Sequence, residues 1–389
     1  MKILILGWYY SSNLGDAVIC DCVAALLARR YPEAEIVIRD MGCREGFRFR
    51  SDFSLARFRK ERRRHKLRIA ATRLGWDKVL SHEQWCVNAV GPGLERLGQE
   101  SCDLVVFAGG QLFMDSLALY VEALTKAFTA RGIPVFFNAC GVGPSWSRQV
   151  QARLGKALTG PLVCHVSCRD NVALVNRWCG REIAVPTADP ALWASRVYGI
   201  TRDDHSQTVG LGVMLAQTAP LSAAFRFWRR LIRLMNRRGI SWKLFTNGSE
   251  ADTAFARQLL VSLPECRGKE AALLCPPPQS PEALVRTVAQ FRSLISFRLH
   301  SHIIACSLGI PTVGMVWDSK LPFFFEKIRC PERCLRVSAG PERALEALAR
   351  AEAGGYCQEW IDALRETSRA DLYAALAPYT PGEPTFDLI

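Results

Sequence analysis

The sequence lacks the features that mark a membrane-spanning or secreted chain. None of its apolar runs approaches the roughly eighteen residues that a membrane-spanning helix needs. Its first apolar run, Lys2 to Leu6, is too short for the apolar region of a secretory signal peptide, and no small-residue cleavage site follows it. We therefore expect a cytoplasmic protein.

The fifteen cysteines are not spaced like metal ligands. The closest pairs are Cys20/Cys22, Cys164/Cys168 and Cys330/Cys334. None of these pairs has the Cys-x-x-Cys spacing of a zinc site. Many of the remaining thiols lie inside apolar runs, where a free cysteine behaves as a small hydrophobic group. We expect free thiols, no metal site and no bound cofactor.

Three common catalytic and nucleotide-binding motifs are also missing. The sequence contains no Gly-x-Ser-x-Gly element and no Gly-x-x-x-x-Gly-Lys-Ser/Thr loop. No Gly-x-Gly-x-x-Gly element opens a helix after the first apolar run. These absences disfavour nucleotide hydrolysis and dinucleotide-dependent redox chemistry.

The sequence does contain the alternating pattern of an α/β protein. Lys2 to Gly7 is a short aliphatic run that predicts a buried strand, and Asp16 to Arg30 has apolar residues at helical spacing. Ile36 to Ile38 predicts a second strand, so the chain opens with a strand–helix–strand unit and a parallel sheet. The C-terminal 341–389 region is predicted to be helical and to pack back across the preceding residues.

Length and composition favour two such halves. The chain has 389 residues, about half of them apolar, which is enough for two cores. Residues 197–207 are mostly polar without periodicity, so they read as a linker before a new strand at Val209. We predict domains at 1–196 and 208–340, followed by the C-terminal helices.

Positive charge is concentrated in one segment. The net charge is +13, and eleven Lys and Arg residues lie between Arg44 and Arg68. Such a segment can be a solvated surface, or it can contact anionic lipid or a polyanionic acceptor. Nucleic acid ranks third, because nothing in the chain resembles an RNA- or DNA-binding module. We expect no nucleic-acid partner.

A stretch near the end of the second domain places cationic and titratable groups after two successive strands. Leu294 to Phe297 predicts a buried strand, with Arg298 and His300 directly after it. Thr312 to Val316 predicts the next strand, with Lys320 shortly beyond its end. Ligands bind at this position in open α/β sheets, outside the carboxyl ends of the strands.

Two loops of the first domain follow strands in the same way. Gly15 permits a tight turn that would present helix N–H groups to an anion or a sugar, although Asn13 and Asp16 could simply cap that helix. Gly109 and Gly110 follow the predicted strand at Leu104–Ala108 and would let the backbone approach a ligand closely.

Arg169 follows a further apolar run of the first domain, Val163 to Ser167. Its guanidinium group matches a carboxylate or phosphate with two hydrogen bonds, which would make it the anion-binding group of this domain. The competing interpretation is a purely structural pair with the adjacent Asp170. An Asp189-Pro190 turn then ends the domain.

Together these elements resemble the polysaccharide pyruvyl transferase family. Its members share Ser-x-Arg-Leu-His, an apolar helix, Gly-x-Pro and an aromatic-Asp-x-Lys element. The matching residues here are Ser296, Arg298, Leu299, His300, Gly309, Pro311, Asp318 and Lys320. Trp317 stands where the family more often has Tyr. The family's Asn-x-Gly-Asp, Gly-Gly-x-Leu-Phe-x-Asp, Ser-x-Arg-Asp and Asp-Pro elements match in order across most of the chain.

The resemblance implies a fold and a reaction. The fold is two Rossmann-like domains facing a cleft, an arrangement of the glycosyltransferase-B type, with the acceptor on the first domain and the donor on the second. The reaction is the transfer of pyruvate from phosphoenolpyruvate to sugar hydroxyls during cell-surface or exopolysaccharide synthesis. The acceptor would be a saccharide, including a lipid-linked one, at the inner face of a membrane that the 44–68 segment would contact.

That reaction needs cations for the donor's carboxylate and phosphate, and a general acid for its methylene carbon. Arg169, Arg298 and Lys320 are the predicted cations, and His300 is the predicted acid and base. If the chain stays extended, Arg298 and His300 lie on one face. Asp16 is a third catalytic candidate, and His302 competes with His300. The remaining predicted substrate contacts are Asn13, Gly15, Gly109, Gly110 and Ser296.

Two other functions stay open at this point. The first is a nucleotide-sugar-dependent glycosyltransferase of the same architecture, for which Arg169 would matter less. The second is a non-catalytic protein that binds an anion in the cleft, for which an acid beside the cations would be unnecessary.

Overall fold

The computed structural model describes residues 1–49, 82–143, 147–215, 221–316 and 320–379, together with positions 56, 60, 63, 64, 67 and 70. At 82–89, 221 and 222 it describes the backbone alone. Of the predictions above, those on Trp317 and Asp318 and on most of the 44–68 segment lie outside the described residues.

A seven-stranded parallel sheet is built from the first half of the chain. Its strands are β1 (Lys2–Gly7), β2 (Glu35–Asp40), β3 (Leu104–Phe107), β4 (Gly110–Phe113), β5 (Val135–Val142), β6 (Val163–Cys168) and β7 (Ala184–Pro186). Six strands lie in the order β2-β1-β3-β5-β6-β7, and β4 pairs with β5. Leu4 and Phe107 are fully buried in its centre, as expected for a parallel sheet covered on both faces.

Helices follow most of these strands. They are α1 (Gly15–Arg30), α2 (His82–Gly98), α3 (Ala118–Thr129), α4 (Arg148–Leu158), α5 (Val172–Cys179) and α6 (Ala194–Tyr198). The apolar side chains of α1, including Val18 and Val23, are buried, as their helical spacing in the sequence predicted.

The second half forms a five-stranded parallel sheet. Its strands are β8 (Val209–Gly212), β9 (Trp242–Phe245), β10 (Ser293–Ser296), β11 (Thr312–Val316) and β12 (Cys334–Arg336), in the order β12-β11-β10-β8-β9. The helices of this half are α7 (Leu221–Arg237), α8 (Glu250–Val261), α9 (Glu270–Leu273), α10 (Pro281–Ala289), α11 (Leu299–Ser307), α12 (Lys320–Lys327), α13 (Gly340–Gly354) and α14 (Gln358–Leu376).

Each sheet has one point where the strand order reverses. In the first sheet the chain leaves β1 for β2 on one side and returns to β3 on the other. In the second sheet β8 and β10 flank the corresponding point. Ligands of open α/β sheets bind at the carboxyl ends of the strands at such points. Gly15 and Gly109 in one half follow β1 and β3, and His300 in the other half follows β10.

The two halves share a continuous interior. Val18 of α1, Ile304 of α11 and Leu372 of α14 belong to one cluster of buried apolar side chains. The C-terminal helix α14 therefore packs back across both halves, as predicted. The boundaries at 196 and 208 stay a prediction, although all strands of the first sheet precede them and all strands of the second follow.

The buried Arg365 joins α14 to both halves. Its guanidinium group donates hydrogen bonds to the carbonyl oxygen of Leu192, at 2.8 Å, and to that of Ser307, also at 2.8 Å. The indole N–H of Trp193 donates in turn to the carbonyl oxygen of Arg365 at 3.0 Å. A buried cation needs such partners, because leaving it unpaired is costly.

Three local predictions need correction. Gly110 belongs to the short strand β4, because the residues after Gly109 pair with β5. The predicted loop after β3 therefore ends before Gly110. Helix α2 was not predicted, because Pro92 and two glycines interrupt its pattern. The chain is not extended after β10, since α11 begins at Leu299. Within the described part of the chain, no helix has the length and apolar character that a membrane crossing requires.

We predict that Arg365→Leu lowers the free energy of unfolding by about 2–4 kcal/mol, because it removes the charge-assisted hydrogen bonds of a buried side chain to the carbonyl oxygens of Leu192 and Ser307. Arg369→Leu in the same helix is the control. Arg369 pairs with Glu366 at the surface, so its loss should cost less than about 1 kcal/mol. Denaturant unfolding measures both variants, and equal effects would contradict the role given to Arg365.

Candidate active site

The carboxyl edges of the two sheets meet where the loop after β1 contacts the start of α11. Gly15 lies against the imidazole ring of His300, and a Cβ atom at Gly15 would fall 2.2 Å from His300 Nδ1. Only glycine fits there. The sequence predicted Gly15 as a turn residue. In the structure, glycine is required because residue 15 contacts the other half of the molecule.

A second contact fixes the same loop. The backbone N–H of Leu14 donates to the carbonyl oxygen of Asn247 at 3.0 Å. Asn247 Oδ1 accepts from the hydroxyl of Ser301 in α11 at 2.8 Å. The turn that follows β9 therefore holds the loop after β1 and α11 together. This role could not be predicted from the residues themselves, because Asn-Gly is typical of turns in general.

Arg169 lies beside His300 across the interface between the halves. Its Nη1 is 3.4 Å from His300 Nε2, and the same guanidinium group pairs with Asp189. Its Nε is 3.8 Å from the carboxylate of Asp170 and has no hydrogen-bond partner. A guanidinium group only donates, so Nε2 of His300 acts as an acceptor and the ring proton lies on Nδ1.

Burial keeps His300 neutral in this position. Its side chain is 6% exposed, and desolvation lowers its pKa to about 4. The carboxylates of Asp16 and Asp189 oppose this shift, whereas Arg169 and Lys320 reinforce it. His300 therefore carries no charge near pH 7, and a nearby anion would raise its pKa.

Two lysines of α12 reach from the second half into the first. Lys320 Nζ donates to Gln111 Oε1 at 2.7 Å, and Gln111 itself lies in β4. Lys327 Nζ donates to the carbonyl oxygens of Arg169, at 2.8 Å, and of Thr187. Burial lowers the pKa of Lys327. Lys320 was a predicted site residue, whereas Lys327 was missed because it lies outside the motifs, and Gln111 because it occupies a variable position of the Gly-Gly-x-Leu-Phe-x-Asp element.

Arg298 is directed elsewhere. It lies just before α11, and its Nε donates to Asp252 Oδ2 at 2.9 Å, with Nη2 on the same oxygen. The other carboxylate oxygen of Asp252 accepts from the backbone N–H of Leu215 at 2.8 Å. Because the chain turns into a helix at Leu299, Arg298 and His300 do not share the predicted face. Arg298 is paired within the second half, while His300 contacts the first.

Ser296 and His302 are enclosed in the second half. The hydroxyl of Ser296 donates to the carbonyl oxygen of Gly212 at 3.2 Å and accepts from the backbone N–H of Arg298. His302 bonds the hydroxyl of Thr312 at 2.6 Å and the carbonyl oxygen of Ser296 at 3.1 Å. Burial lowers the pKa of His302 to about 3. These bonds anchor the turn from β10 into α11.

A pocket of about 300 Å³ opens on the first half, beside this contact. Its lining includes Trp8, Asn13, Asp16, Gly109 and Gln111. Asn13 Nδ2 donates to Asp16 Oδ2 at 3.1 Å, and Asn13 Oδ1 is buried without a partner. Gly109 and Gly110 both have positive φ angles, which explains the two glycines. Carboxylate, amide and indole groups together suit a polar, ring-shaped ligand.

No cluster of three or more His, Cys, Asp or Glu side chains that could hold a metal ion occurs in the described ranges. The charges that act on His300 at this contact include those of Arg169, Lys320 and Asp16.

The paired sheets and the cleft between their carboxyl edges define a glycosyltransferase-B-like fold, as predicted. UDP-N-acetylglucosamine 2-epimerase from Neisseria meningitidis, bound to UDP-GlcNAc, superposes with a TM-score of 0.56 at 12% identity, covering 97% of this chain and 98% of that one. The Methanocaldococcus jannaschii enzyme, in complex with UDP-GlcNAc and UDP, gives 0.54 at 11% identity, covering 90% and 93%. At these identities the likeness establishes the fold alone.

The chain belongs to the polysaccharide pyruvyl transferase family. The family's profile matches residues 13–319, well over half of the 389 residues. This match confirms the family suggested by the motifs, and it supports a transferase that modifies polysaccharides. No curated protein matches the sequence.

We predict that Gly15→Ala displaces His300 and lowers both stability and turnover, since the added methyl group would overlap the ring. Overpacking of this kind typically costs about 1–3 kcal/mol. Gly46→Ala is the matched control, because a Cβ atom at Gly46 would meet nothing within 4 Å. Thermal unfolding and initial rates distinguish the variants, and indistinguishable behaviour would contradict the contact.

Proposed function

We propose that this protein transfers pyruvate from phosphoenolpyruvate to two hydroxyl groups of a saccharide, forming a cyclic ketal and releasing phosphate. The observation that carries this proposal is a buried, neutral histidine beside Arg169, with the charge of Lys320 close enough to affect its pKa, at the contact between the two halves. Membership of the pyruvyl transferase family supports it.

The donor suits these groups because it carries a carboxylate and a phosphate. Arg169 has one guanidinium N–H, at Nε, that is buried without a hydrogen-bond partner. Lys320 adds a flexible cation on the facing side of the cleft. Arg298 pairs with Asp252 through Nε and Nη2, so we assign it a supporting part in shaping the start of α11.

The chemical steps follow from this placement. The bound anion raises the pKa of His300, which then donates its proton to the methylene carbon as C2 develops positive charge. A sugar hydroxyl adds to C2, and its proton returns to the ring. A second hydroxyl displaces phosphate at C2 and closes the ketal, with its proton leaving on the phosphate.

The acceptor saccharide would occupy the pocket on the first half. Asp16 would accept a hydrogen bond from a sugar hydroxyl, and the ring of Trp8 would pack against the sugar face. A lipid-linked acceptor is compatible with this placement, and the 44–68 segment is our proposed contact with its membrane.

The test is the balance of products. Purified protein is given phosphoenolpyruvate labelled in its pyruvate part and a panel of saccharides, and phosphate release is compared with label in the saccharide. We predict equal amounts from the wild type, and a loss of about 10²–10⁴-fold in kcat for His300→Gln, the usual contribution of a general acid. Lys320→Met should mainly raise KM for phosphoenolpyruvate.

His205→Gln serves as the control, because His205 is exposed near the start of the second half. It should match the wild type. Transfer from a sugar nucleotide in place of phosphoenolpyruvate would overturn the proposal and favour a glycosyltransferase. Unaltered turnover in His300→Gln would remove the histidine from the mechanism.

A further inference from the structure

Helix α7 carries a row of arginines along one side. Arg226, Arg229, Arg230, Arg233 and Arg237 follow the spacing i, i+3, i+4, i+7 and i+11. At 100° per residue these positions fall within roughly 100° of the helix circumference, and the row is roughly 16 Å long at 1.5 Å per residue. We call these five residues the arginine row.

The opposite side of α7 is fully used by the core. Phe227, Trp228, Leu231, Ile232 and Met235 are all buried. Of the arginine row, Arg226, Arg230, Arg233 and Arg237 are exposed, and Arg229 is half-buried. The core therefore fixes which way the row faces, and the row is presented to solvent on a rigid element.

The row is almost free of compensating charge. Helix α7 contains no acidic residue, and within the described ranges Arg233 alone of the row has an ion pair, with Glu265 at 3.3 Å. Among the described residues, neither hydrogen bonds nor ion pairs are made by Arg226, Arg230 and Arg237. Helix α13, on the same core, instead alternates its signs in Glu342, Arg343, Glu346 and Arg350.

Such a row is unfavourable for the isolated protein, because like charges at i,i+3 and i,i+4 repel each other. An anionic partner would attract all of these arginines and relieve their mutual repulsion. We propose that the arginine row is a docking surface for an anionic lipid bilayer, bound through its phosphate groups.

The geometry favours a bilayer over a nucleic acid. A straight row on a convex helix can contact a plane of phosphates along its whole length. Single-stranded nucleic acid is usually held by stacking on aromatic side chains, and the exposed residues from 226 to 239 are Arg226, Arg230, Arg233, Asn236, Arg237, Arg238 and Gly239. The apolar face of α7 is committed to the core, so the contact is electrostatic and involves no insertion.

The position of α7 gives this contact a consequence. The helix follows β8 and so starts at the carboxyl edge of the second sheet, where the Leu215 N–H bonds Asp252. Docking through the row would hold that edge near the membrane surface. The inference does not depend on the proposed reaction, because the vesicle measurement below uses no substrate.

The experiment compares vesicles of 70% phosphatidylcholine and 30% phosphatidylglycerol with vesicles of phosphatidylcholine alone. The full chain is tested by flotation at low and high salt. We predict binding to the anionic vesicles only, and its loss at high salt through screening. Arg226→Gln/Arg230→Gln/Arg237→Gln should weaken the partition by about a hundredfold, if each arginine contributes roughly a factor of five.

A charge-matched control is Arg286→Gln/Arg343→Gln/Arg369→Gln, which removes two exposed arginines and the half-buried Arg369, all paired with a glutamate: Glu282, Glu346 and Glu366. It should retain most of the binding. Equal losses in the two triple variants would show that net charge alone is responsible, and unchanged binding in the first would place the contact elsewhere. Either result overturns the proposal. It would also be overturned if the arginine-row variant lost binding to single-stranded RNA but kept its binding to vesicles. Unfolding curves confirm that both variants are folded.

Discussion

The contact between Gly15 and His300 is the constraint on which the rest of the site depends. It brings residues that follow the carboxyl edges of two separate sheets into contact, and it leaves no room for any side chain at position 15. The bonds from Leu14 to Asn247 and from Ser301 to Asn247 hold the two sides of the contact in register. The positions of Arg169 and Lys320 relative to the histidine follow from this arrangement.

The same closeness determines the charge of the site. Enclosing His300 between two halves removes it from water, and desolvation outweighs the carboxylates of Asp16 and Asp189. The resting site therefore holds cations around a neutral ring. An anionic ligand would neutralise the cations and favour the protonated ring, which links binding of the donor to formation of the acid.

Much of the fold could be predicted from the sequence, because aliphatic runs and helical spacing are local signals. The strands at Lys2–Gly7 and Thr312–Val316 lie where those runs predicted them. The positions of Gly15, Gly109 and His300 just after strand ends were also identified, since a motif that follows a strand is a local signal. The side-chain partners of these residues were harder to predict. Asp252 is 46 residues from Arg298 and Gln111 is 209 from Lys320, so no spacing in the sequence predicts either pair. The direction of Arg298 was missed because it depends on where α11 begins.

The most direct test of the account counts protons when phosphoenolpyruvate binds. Calorimetric titration in buffers of different ionisation enthalpy, between pH 5 and 7.5, reports the protons taken up per ligand. In the ligand-free protein the pKa of His300 is about 4, and the bound anion raises it. At pH values between the pKa of the ligand-free state and that of the bound state, the wild type should therefore take up more protons than His300→Gln. Subtracting the variant removes the ligand's own protons. Tight binding with identical proton counts in both proteins would contradict the account, because the donor would then leave His300 neutral and unable to act as the acid.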